Sequence, residues 1–449
     1  MPRSPRRPQH RSARPPQRLR ATSTAPVRRS RSNESPASGR ALDRALAEAA
    51  SQPQPEASSF GGYGLPPALV TVLARRGFHT PFAIQSRTLP GALAGRDILA
   101  RSQTGSGKTL AFGIAMLARL HHGQSRPRSP RGLVLVPTRE LAQQVSAVVA
   151  PLAHALSMRV TAIYGGAPMG RQIDSLRRGV DVVIATPGRL LDLIERGECS
   201  LADVEVTVLD EADFMADLGF LPAVTTLLDQ TRPNGQRMLF SATLDNGVDT
   251  VVRRYLSDPQ LHALAPTPTP VSTMDHRAFT VRAEDKVAIA AEIAERPGRT
   301  LFFVRTKHGA DRLATQLRRS GARAGAIHGN LRQSQRQRAL DAFSRGEARV
   351  LVATDVAARG IHVDDIDLVV HYDPPADAKD YLHRSGRTAR AGADGVVLSL
   401  LLPEQVGGAA RMHERAGVTA RPVQIGRGAP QLRNLGSTTL GSAQASART

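Results

Sequence analysis

The residues that decide the fold run from Asp97 to Thr109 and read D-I-L-A-R-S-Q-T-G-S-G-K-T. The short apolar run Asp97–Ala100 is typical of a buried strand, and the glycines that follow let the backbone turn tightly. N–H groups in such a loop point at phosphate oxygens, Lys108 supplies a positive charge and the Thr109 hydroxyl can bind Mg²⁺. The alternative is a glycine-rich loop that only precedes a helix, and G-K-T directly after a strand argues against it. We therefore predict a nucleotide site formed by Ser102, Gln103, Thr104, Gly105, Ser106, Gly107, Lys108 and Thr109.

A nucleotide site of this kind needs an acidic metal partner at the end of another strand. Thr207–Asp213 reads T-V-L-D-E-A-D and supplies one. The apolar run carries Asp210 to a strand tip, where its carboxylate can hold the Mg²⁺ shell, and Glu211 can orient and deprotonate an attacking water. Two adjacent carboxylates can also be ordinary solvated side chains on a surface loop. Their place after an apolar strand, in a chain that has the G-K-T loop, favours a hydrolytic site.

Apolar runs of β type alternate with helical patterns along most of the chain, which indicates α/β domains with parallel sheets covered on both faces. The runs in the first half are Asp97–Ala100, Leu133–Val136, Val182–Ala185, Val206–Leu209 and Met238–Phe240. The run P-T-P-T-P at Pro266–Pro270 predicts a linker over 266–272. The runs after it are Thr300–Val304, Ala324–Ile327, Val350–Ala353, Leu368–His371 and Val396–Leu401. We predict one domain over 59–265 and a second over 273–404.

The two ends of the chain differ from these domains in composition. Residues 1–58 are rich in Arg, Pro, Ser and Ala, and only Ala41–Ala50 has a helical pattern. Residues 405–449 are rich in Gly, Ala, Arg and Ser. Segments with few large apolar side chains cannot offset their ordering entropy, so both ends are predicted to be disordered and basic. The formal net charge of +21 favours a polyanionic partner, although solvated basic faces are the alternative.

Several classes of protein are disfavoured by simple counts. The single cysteine, Cys199, excludes a disulfide framework within the chain and any site of several cysteines. No apolar run approaches the roughly 20 residues that span a bilayer. The first residues have no apolar core typical of a secretory signal. We expect a cytoplasmic protein that does not bind membranes.

The letters D-E-A-D at 210–213, together with the motifs named next, resemble the DEAD-box family of superfamily-two helicases from Phe60 to about Leu401. The resemblance implies two tandem recA-like domains and an ATP-dependent RNA helicase that uses ATP and Mg²⁺. It implies RNA-stimulated hydrolysis that drives domain closure and local, non-processive unwinding of RNA. RNA would be bound through its backbone with little sequence preference, and ribosomal or RNA-decay complexes are candidate partners. A monomer suffices for this mechanism.

The resemblance also implies roles for individual residues around the nucleotide. Gly77–Gln85 resembles the adenine-reading motif: the Gln85 amide matches the N6/N7 edge of adenine, and Phe60 can stack on the ring. His383–Gly392, H-R-S-G-R-T-A-R-A-G, places Arg387 and Arg390 as arginine fingers. Asp355 would join the nucleotide and RNA sites. The residues implied to couple hydrolysis to unwinding are Asp213, Ser241, Thr243 and His383.

The remaining motifs resemble the family's RNA contacts. P-T-R-E-L-A, G-G and T-P-G-R lie in the first half, each just after a strand or where one would end, and Q-S-Q-R and A-T-D lie in the second half. Hydroxyl, amide and guanidinium groups there can bind phosphates without selectivity for the base sequence. The RNA-contacting residues implied are Pro137, Thr138, Arg139, Gly166, Thr186, Arg189, Gln333, Arg336 and Thr354.

Three residues depart from the family pattern. Ser102 replaces a small Ala or Gly, Ala389 replaces a Gly between the last two arginines, and His362 stands where an Asp that contacts the ATP ribose is common. His362 puts that ribose contact in doubt. Two other functions stay open: an RNA-annealing chaperone or scaffold that acts through the basic ends, and a DNA helicase on the same fold.

Overall fold

The computed structural model describes residues 37–51, 59–102, 106–245, 247–264, 274–358, 366–389, 395–433 and 435. The predicted linker 266–272 therefore lies outside the described residues, as do Gln103, Thr104, Gly105, His362 and Arg390.

The first domain is built on a seven-stranded parallel sheet with the order β3-β4-β2-β5-β6-β1-β7. Its strands are β1 Ile98–Arg101, β2 Gly132–Leu135, β3 Val160–Ile163, β4 Val182–Ala185, β5 Val206–Asp210, β6 Gln236–Ser241 and β7 Gln260–Ala263. The five apolar runs all form strands. The two strands absent from the prediction, β3 and β7, are the sheet edges; each has only one fully buried residue, so neither reads as a continuous apolar run.

Helices cover both faces of this sheet. They are α1 Ala37–Ser51, α2 Pro67–Arg75, α3 Ala83–Leu93, α4 Lys108–Leu120, α5 Arg139–Ala155, α6 Met169–Arg177, α7 Pro187–Glu195, α8 Ala212–Asp217, α9 Leu221–Leu228 and α10 Val248–Tyr255, with a 3₁₀ turn at Phe60–Tyr63. Alternate residues of β1 enter different cores: Ile98 and Ala100 pack with Phe112, and Leu99 packs on the opposite face with Leu239. Burial on both faces explains why the central strands are apolar throughout.

The second domain repeats the arrangement with the order β10-β11-β9-β12-β13-β8-β14. Its strands are β8 Met274–Thr280, β9 Arg299–Phe303, β10 Ala324–Ile327, β11 Val350–Ala353, β12 Ile366–His371, β13 Gly395–Leu401 and β14 Pro422–Gln424. Its helices are α11 Lys286–Ala294, α12 Lys307–Arg319, α13 Gln333–Ser344, α14 Asp355–Ala358, α15 Ala378–Ser385, α16 Val406–Arg415 and α17 Pro430–Arg433, with a 3₁₀ turn at Pro403–Gln405. The predicted fold class, two tandem recA-like α/β domains, is confirmed.

The helical pattern predicted at Ala41–Ala50 is confirmed as α1, but this helix packs on the first domain and is not part of a disordered arm. Leu46 is fully buried against the first sheet, and the Arg87 guanidinium donates to the carbonyls of both Ala49 (2.7 Å) and Ala263 (3.1 Å). The Asp43 carboxylate pairs with Arg101 at 3.3 Å, at the end of β1. The helix therefore belongs to the first domain and covers its edge strand β7.

The prediction that residues 405–449 are disordered is wrong as far as 433. β14 pairs in parallel with β8, and Ile425 N donates to Thr280 O at 3.0 Å, which extends the second sheet. Met412, Leu432 and Leu435 are buried. Widely spaced apolar anchors fix this segment, although its average composition is that of a disordered tail.

In the described part of the chain, no helix combines the length and the apolarity that a membrane crossing requires.

Candidate active site and nucleic-acid interface

The described end of the phosphate loop lies at the carboxyl end of β1. Gly107 has φ of +88°, a left-handed conformation that favours glycine, and α4 begins at the next residue. Lys108 is buried, and its Nζ donates to Ser102 O at 3.2 Å. Ser106 Oγ donates to Ser102 Oγ at 3.2 Å, so the serine at the departure position joins the two ends of the loop. Thr109 follows on the first turn of α4.

Two carboxylic acids end β5 in the interior of the domain. Asp210 and Glu211 are 2% and 8% exposed, and Glu211 N donates to Asp210 Oδ1 at 3.0 Å. Glu211 has φ of +52°, a strained conformation for a side chain of this type. Burial, followed by the charge of Asp210, raises the pKa of Glu211 to about 7; the charges of Lys108 and Arg387 oppose the rise. Burial also raises the pKa of Asp210, against the charge of Lys108. A carboxyl with a pKa near neutrality is suited to proton transfer.

The S-A-T segment connects this acidic strand end to the phosphate loop. Ser241 Oγ accepts from Asp213 N at 3.1 Å and donates to Thr243 O at 2.6 Å. Asp213 Oδ2 accepts from Thr243 N at 3.2 Å. Ser102 N donates to Ser241 O at 3.2 Å. One continuous hydrogen-bonded path therefore joins the acidic end of β5 to the phosphate loop.

The second domain presents arginines to the same place. Arg387 is 8% exposed and lies close enough to Glu211 for its charge to lower the pKa of that carboxyl. Its Nε donates to His383 O at 3.3 Å, one turn earlier on the chain. Ala389 has φ of +53°, so the alanine at this departure position adopts a backbone conformation that favours glycine.

Arg384 is a residue of this site that the sequence analysis missed. Its guanidinium makes a two-point ion pair with Asp355, with Nε–Oδ1 and Nη2–Oδ2 distances of 2.5 and 2.8 Å, and it donates to Asp373 O at 2.7 Å. The Asp355 carboxylate is thus held by Arg384, and its contact with the nucleotide stays a prediction. The arginine-rich spacing of H-R-S-G-R was the signal available, but it does not say which arginine turns inward.

The adenine-reading motif lies beside the phosphate loop. Gln85 is 1% exposed; its Oε1 accepts from Phe82 N at 2.8 Å and its Nε2 donates to Gly107 O at 3.0 Å. Phe60 is 3% exposed and packs in the first core with Leu65 and Leu69. The Phe60 ring is buried among these side chains, and its predicted stacking on the base stays a prediction.

The predicted RNA contacts of the first domain lie together at the carboxyl ends of β2, β3 and β4. Thr138 caps α5 by accepting from Leu141 N at 3.2 Å, directly after Pro137. The Arg139 guanidinium lies against Gly166, where a Cβ would come within 2.4 Å of its Nη1, so only glycine fits. Arg189 Nη1 donates to Ala167 O at 3.3 Å, and Thr186 precedes α7. One edge therefore gathers the three motifs.

Two predicted RNA contacts of the second domain instead face the first domain. Gln333 Nε2 donates to Glu140 Oε1 at 3.0 Å, and Arg336 Nε forms an ion pair with the same oxygen at 2.6 Å. The Glu140 side chain is 4% exposed, so the oxygen that both residues contact is buried. Thr354 N donates to Ile327 O at 3.3 Å, at the edge that continues this surface. Gln333 and Arg336 therefore make an interdomain contact, and their contact with RNA stays a prediction.

A second interdomain contact lies nearer the nucleotide. Lys379 Nζ, on α15, is 3.1 Å from Asp217 Oδ1 at the end of α8. These two helices carry H-R-S-G-R and D-E-A-D, so the pair holds the catalytic groups of the two domains close together.

Family models match both halves of the chain: DEAD/DEAH box helicase over 82–251, and helicase conserved C-terminal domain over 285–392. Dbp5 of S. cerevisiae, solved bound to RNA and ADP BeF3, is 30% identical, with 82% of this chain and 96% of that chain covered and a TM-score of 0.70. This chain belongs to the DEAD-box RNA helicase family. The structure of Mss116p bound to ssRNA and AMP-PNP, 24% identical with a TM-score of 0.72 over 86% of this chain and 83% of that chain, shows the same fold.

Curated DEAD-box relatives are more similar in sequence. DEAD-box ATP-dependent RNA helicase 30 of Arabidopsis thaliana is 41% identical over 349 residues, which are 76% of this chain and 58% of that protein. ATP-dependent RNA helicase RhlB of Xanthomonas campestris is 40% identical over 350 residues, 76% of this chain and 61% of that protein. The chain thus spans about six tenths of the length of these relatives.

Proposed function

We propose that the protein is an ATP-dependent RNA helicase in which RNA-stimulated ATP hydrolysis drives domain closure and local, non-processive remodelling of RNA. The observation that carries this proposal is the division of the hydrolytic groups between domains. Lys108, Asp210 and Glu211 belong to the first domain, whereas Arg387, whose charge acts on Glu211, belongs to the second. Hydrolysis of this kind is possible only while the domains are together.

ATP is the proposed nucleotide and Mg²⁺ its metal. Magnesium is commonly held by one or two carboxylates together with the substrate phosphates. The buried carboxylate of Asp210 and the hydroxyl of Thr109 fit that requirement, and burial beside Glu211 makes a cation favourable there. The described residues contain no group of three His, Cys, Asp or Glu that could hold a metal without such phosphates. When bound, Mg²⁺ neutralises charge on the phosphates.

In the proposed reaction, Glu211 accepts a proton from the attacking water, and its raised pKa suits that task. Lys108 binds the outer phosphates, and Arg387 stabilises the charge that builds up on the transferred phosphoryl group. Arg390 is proposed as a second arginine finger. We propose that hydrolysis at the phosphates is coupled to the RNA-contacting edge of the domains through four residues, Asp213, Ser241, Thr243 and His383.

RNA is proposed to lie along the motif-bearing edges of both domains, held by Thr138, Arg139, Thr186 and Arg189 through its phosphates. Glu140 of the first domain is bonded to Gln333 and Arg336 of the second, and we propose that these bonds form when the domains close. Because ATP and RNA both contact the closed arrangement, each favours binding of the other by linkage. This explains why hydrolysis would depend on RNA.

The finer assignments also belong to this proposal. We propose a monomer that acts in the cytoplasm, with ribosomal or RNA-decay complexes as candidate partners. We propose a first domain that begins at α1 rather than at residue 59, a linker at 266–272, and a second domain that continues to 433. Sequence-independent phosphate contacts and the net charge of +21 support RNA as a general ligand.

The test is steady-state ATP hydrolysis with and without single-stranded RNA or single-stranded DNA. We expect RNA to stimulate the wild type and Glu211→Gln to lower the stimulated rate by roughly 10²–10⁴-fold. The matched control is Glu205→Gln, at the opposite end of β5, which pairs with Arg131 at 2.7 Å and should keep the wild-type rate. Equal rates with and without RNA would refute the proposal. Greater stimulation by DNA would support a DNA helicase, and RNA annealing without hydrolysis would support a chaperone.

A further inference from the structure

An exposed phenylalanine stands at the start of the helix that carries Gln85. Among the described residues, the large hydrophobic side chains that are exposed are Phe82 (61%), Val423 (44%) and Leu382 (36%). Phe82 occupies the N-cap position of α3, where the side-chain oxygen of Ser, Thr, Asp or Asn would accept a hydrogen bond from a backbone N–H of the first turn. A phenyl ring has no such oxygen. Neither core packing nor helix capping therefore explains a phenylalanine at this position.

The Phe82 ring lies against the phosphate loop. A Cβ placed on Gly107 would come within 2.8 Å of Phe82 Cδ2 and within 2.5 Å of Gln85 Nε2. The ring and the amide therefore meet at the same glycine, the residue directly before Lys108. A nucleotide whose phosphates lie on this loop, and whose base reaches Gln85, has its base beside this ring.

Gln85 keeps free hydrogen-bonding capacity toward such a base. Its Oε1 accepts one bond, from Phe82 N, and its Nε2 donates one, to Gly107 O. An amide oxygen has two lone pairs and an amide nitrogen has two N–H groups, so one acceptor and one donor site remain. These match the N6 and N7 atoms on one edge of adenine. Gln85 can form hydrogen bonds with that edge in the plane of the base, but it cannot stack on the face of the base.

The other aromatic side chains near this motif are committed to the core. Phe60 is 3% exposed, and Tyr63 and Phe78 are half-buried and packed against the first core. Phe82 alone among these four has most of its surface in solvent. Stacking on a base would bury that surface.

We propose that Phe82 stacks on the purine base of the bound nucleotide; this inference rests on the proposed function and names a residue that sets nucleotide affinity. Every base has a π face, so stacking is tolerant of base identity. Phe82 therefore contributes to binding of adenine and guanine nucleotides alike, whereas Gln85 chooses between them. These separate roles predict that substitutions at Phe82 and at Gln85 change nucleotide affinity in different ways.

The experiment measures the affinity of the full-length protein for ADP, GDP and tripolyphosphate by calorimetry. Phe82→Ala is expected to weaken ADP and GDP binding by a similar factor, roughly 5- to 100-fold, the range that alanine substitution gives for base–aromatic stacking. Tripolyphosphate, which has no base, should bind both proteins equally. Gln85→Ala should instead change the ratio of ADP to GDP affinity.

Two further variants separate stacking from a structural role. Phe82→Tyr keeps an aromatic face and should bind ADP like the wild type, whereas Phe82→Leu keeps an apolar side chain and should behave like Phe82→Ala. Phe82→Thr restores a capping oxygen, so it should raise the Tm of the nucleotide-free protein while weakening ADP binding. A purely structural residue would not give these opposite changes. Val423→Ala is the matched control, an exposed apolar residue on β14.

The outcomes distinguish this inference from the function on which it rests. Equal ADP affinity in the wild type and Phe82→Ala, or wild-type affinity in Phe82→Leu, would overturn the stacking role alone. Failure of the wild type to bind ADP or GDP would overturn the proposed function, and the stacking role with it.

Discussion

The two domains share one scaffold but differ in the side chains at its carboxyl edge. Their sheets have the same strand order, position by position. Lys108 and Lys286 are each the first residue of the helix that follows the corresponding strands, β1 and β8. Lys108 lies beside the buried carboxylates, whereas Lys286 Nζ packs 4.7 Å above the Tyr372 ring, and burial lowers its pKa. The same position is proposed to bind phosphate in the first domain, whereas in the second domain its lysine packs on an aromatic ring.

The shared fold sets the positions of the side chains at the carboxyl edge, and the loop sequences determine which chemistry those side chains provide. The first domain places carboxylates at the end of β5, and the second places Arg384 and Arg387 after α15. The edge of the first domain supplies the carboxylates, and the edge of the second supplies these arginines. The division makes catalysis dependent on an interface, and four experiments test how far the two domains really differ.

The largest expected effect concerns the cation that the second domain supplies. Arg387→Ala should lower the RNA-stimulated kcat by roughly 10³–10⁵-fold, because arginine fingers contribute that much to phosphoryl transfer. ADP binding, which uses the first domain, should hardly change. The measurement is steady-state hydrolysis together with ADP calorimetry. Arg345→Ala, which removes an exposed arginine paired with Glu347, is the control. A wild-type kcat in Arg387→Ala would mean that the first domain is catalytically complete by itself.

The next effect concerns the edge strands, β7 and β14, which occupy equivalent positions. Helix α1 covers β7, with Leu46 fully buried, whereas the three residues of β14 are exposed. Leu46→Ala should lower the free energy of unfolding by about 2–5 kcal/mol, as buried leucine truncations do. Because the chain has no tryptophan, urea unfolding is followed by circular dichroism. Val423→Ala should change the free energy of unfolding by less than about 0.5 kcal/mol. A small loss in Leu46→Ala would show that α1 is not part of the first domain.

Sequence alone could predict the features that contiguous residues encode. Lys108, Asp210 and Glu211 each follow an apolar strand, and parallel strands bring such ends to one edge of the sheet. For the same reason all ten apolar runs became strands. The edge strands β3, β7 and β14 and the inner strand β8 were not predicted, because exposed or half-exposed residues interrupt their apolar pattern.

Features that depend on distant partners could not be predicted. Gln333 reaches Glu140 across 193 residues, and nothing local to Q-S-Q-R distinguishes a protein partner from RNA. Phe60 as a core residue and Phe60 as a stacking residue have the same sequence surroundings. The helical pattern of α1 was visible, but the sequence did not show that its apolar stripe of Leu42, Leu46 and Ala50 packs on the first domain.

A third effect concerns titratable groups in the two cores. In the second domain, the fully buried ring of His371 packs with Tyr381 and Phe303, both of its nitrogens lack hydrogen-bond partners, and its pKa is lowered well below 6.5. The main cause is burial; the charges of Arg384, His413 and His276 add to it. Burial also lowers the pKa of His413. In the first domain, burial lowers the pKa of His262 to about 4.

These shifts predict that acid destabilises the second domain more than the first. Above about pH 7 folded and unfolded histidines are both neutral, so no stability is lost. Below 6.5 the unfolded state binds protons that the folded state refuses, and stability falls by up to about 1.4 kcal/mol per pH unit for each histidine. Urea unfolding at pH 7.5 and 5.5 should show this loss, and His371→Leu should reduce it. An unchanged pH slope in His371→Leu would contradict the assignment.

The smallest expected effect tests whether the two domains are also matched outside the catalytic groups. Lys379 and Asp217 are partly buried, 28% and 12% exposed, and join α15 to α8 at 3.1 Å. A double-mutant cycle with Lys379→Ala and Asp217→Ala should give a coupling energy of about 1 kcal/mol, between the values for exposed and fully buried pairs. RNA affinity is measured with a non-hydrolysable ATP analogue, which favours closure. Without nucleotide the coupling should vanish, because separated domains do not form the pair. The exchanged pair, Lys379→Asp with Asp217→Lys, should recover part of the lost affinity. A coupling that persists without nucleotide would mean that the domains stay together at rest, and closure could then not be the step that RNA and ATP jointly control.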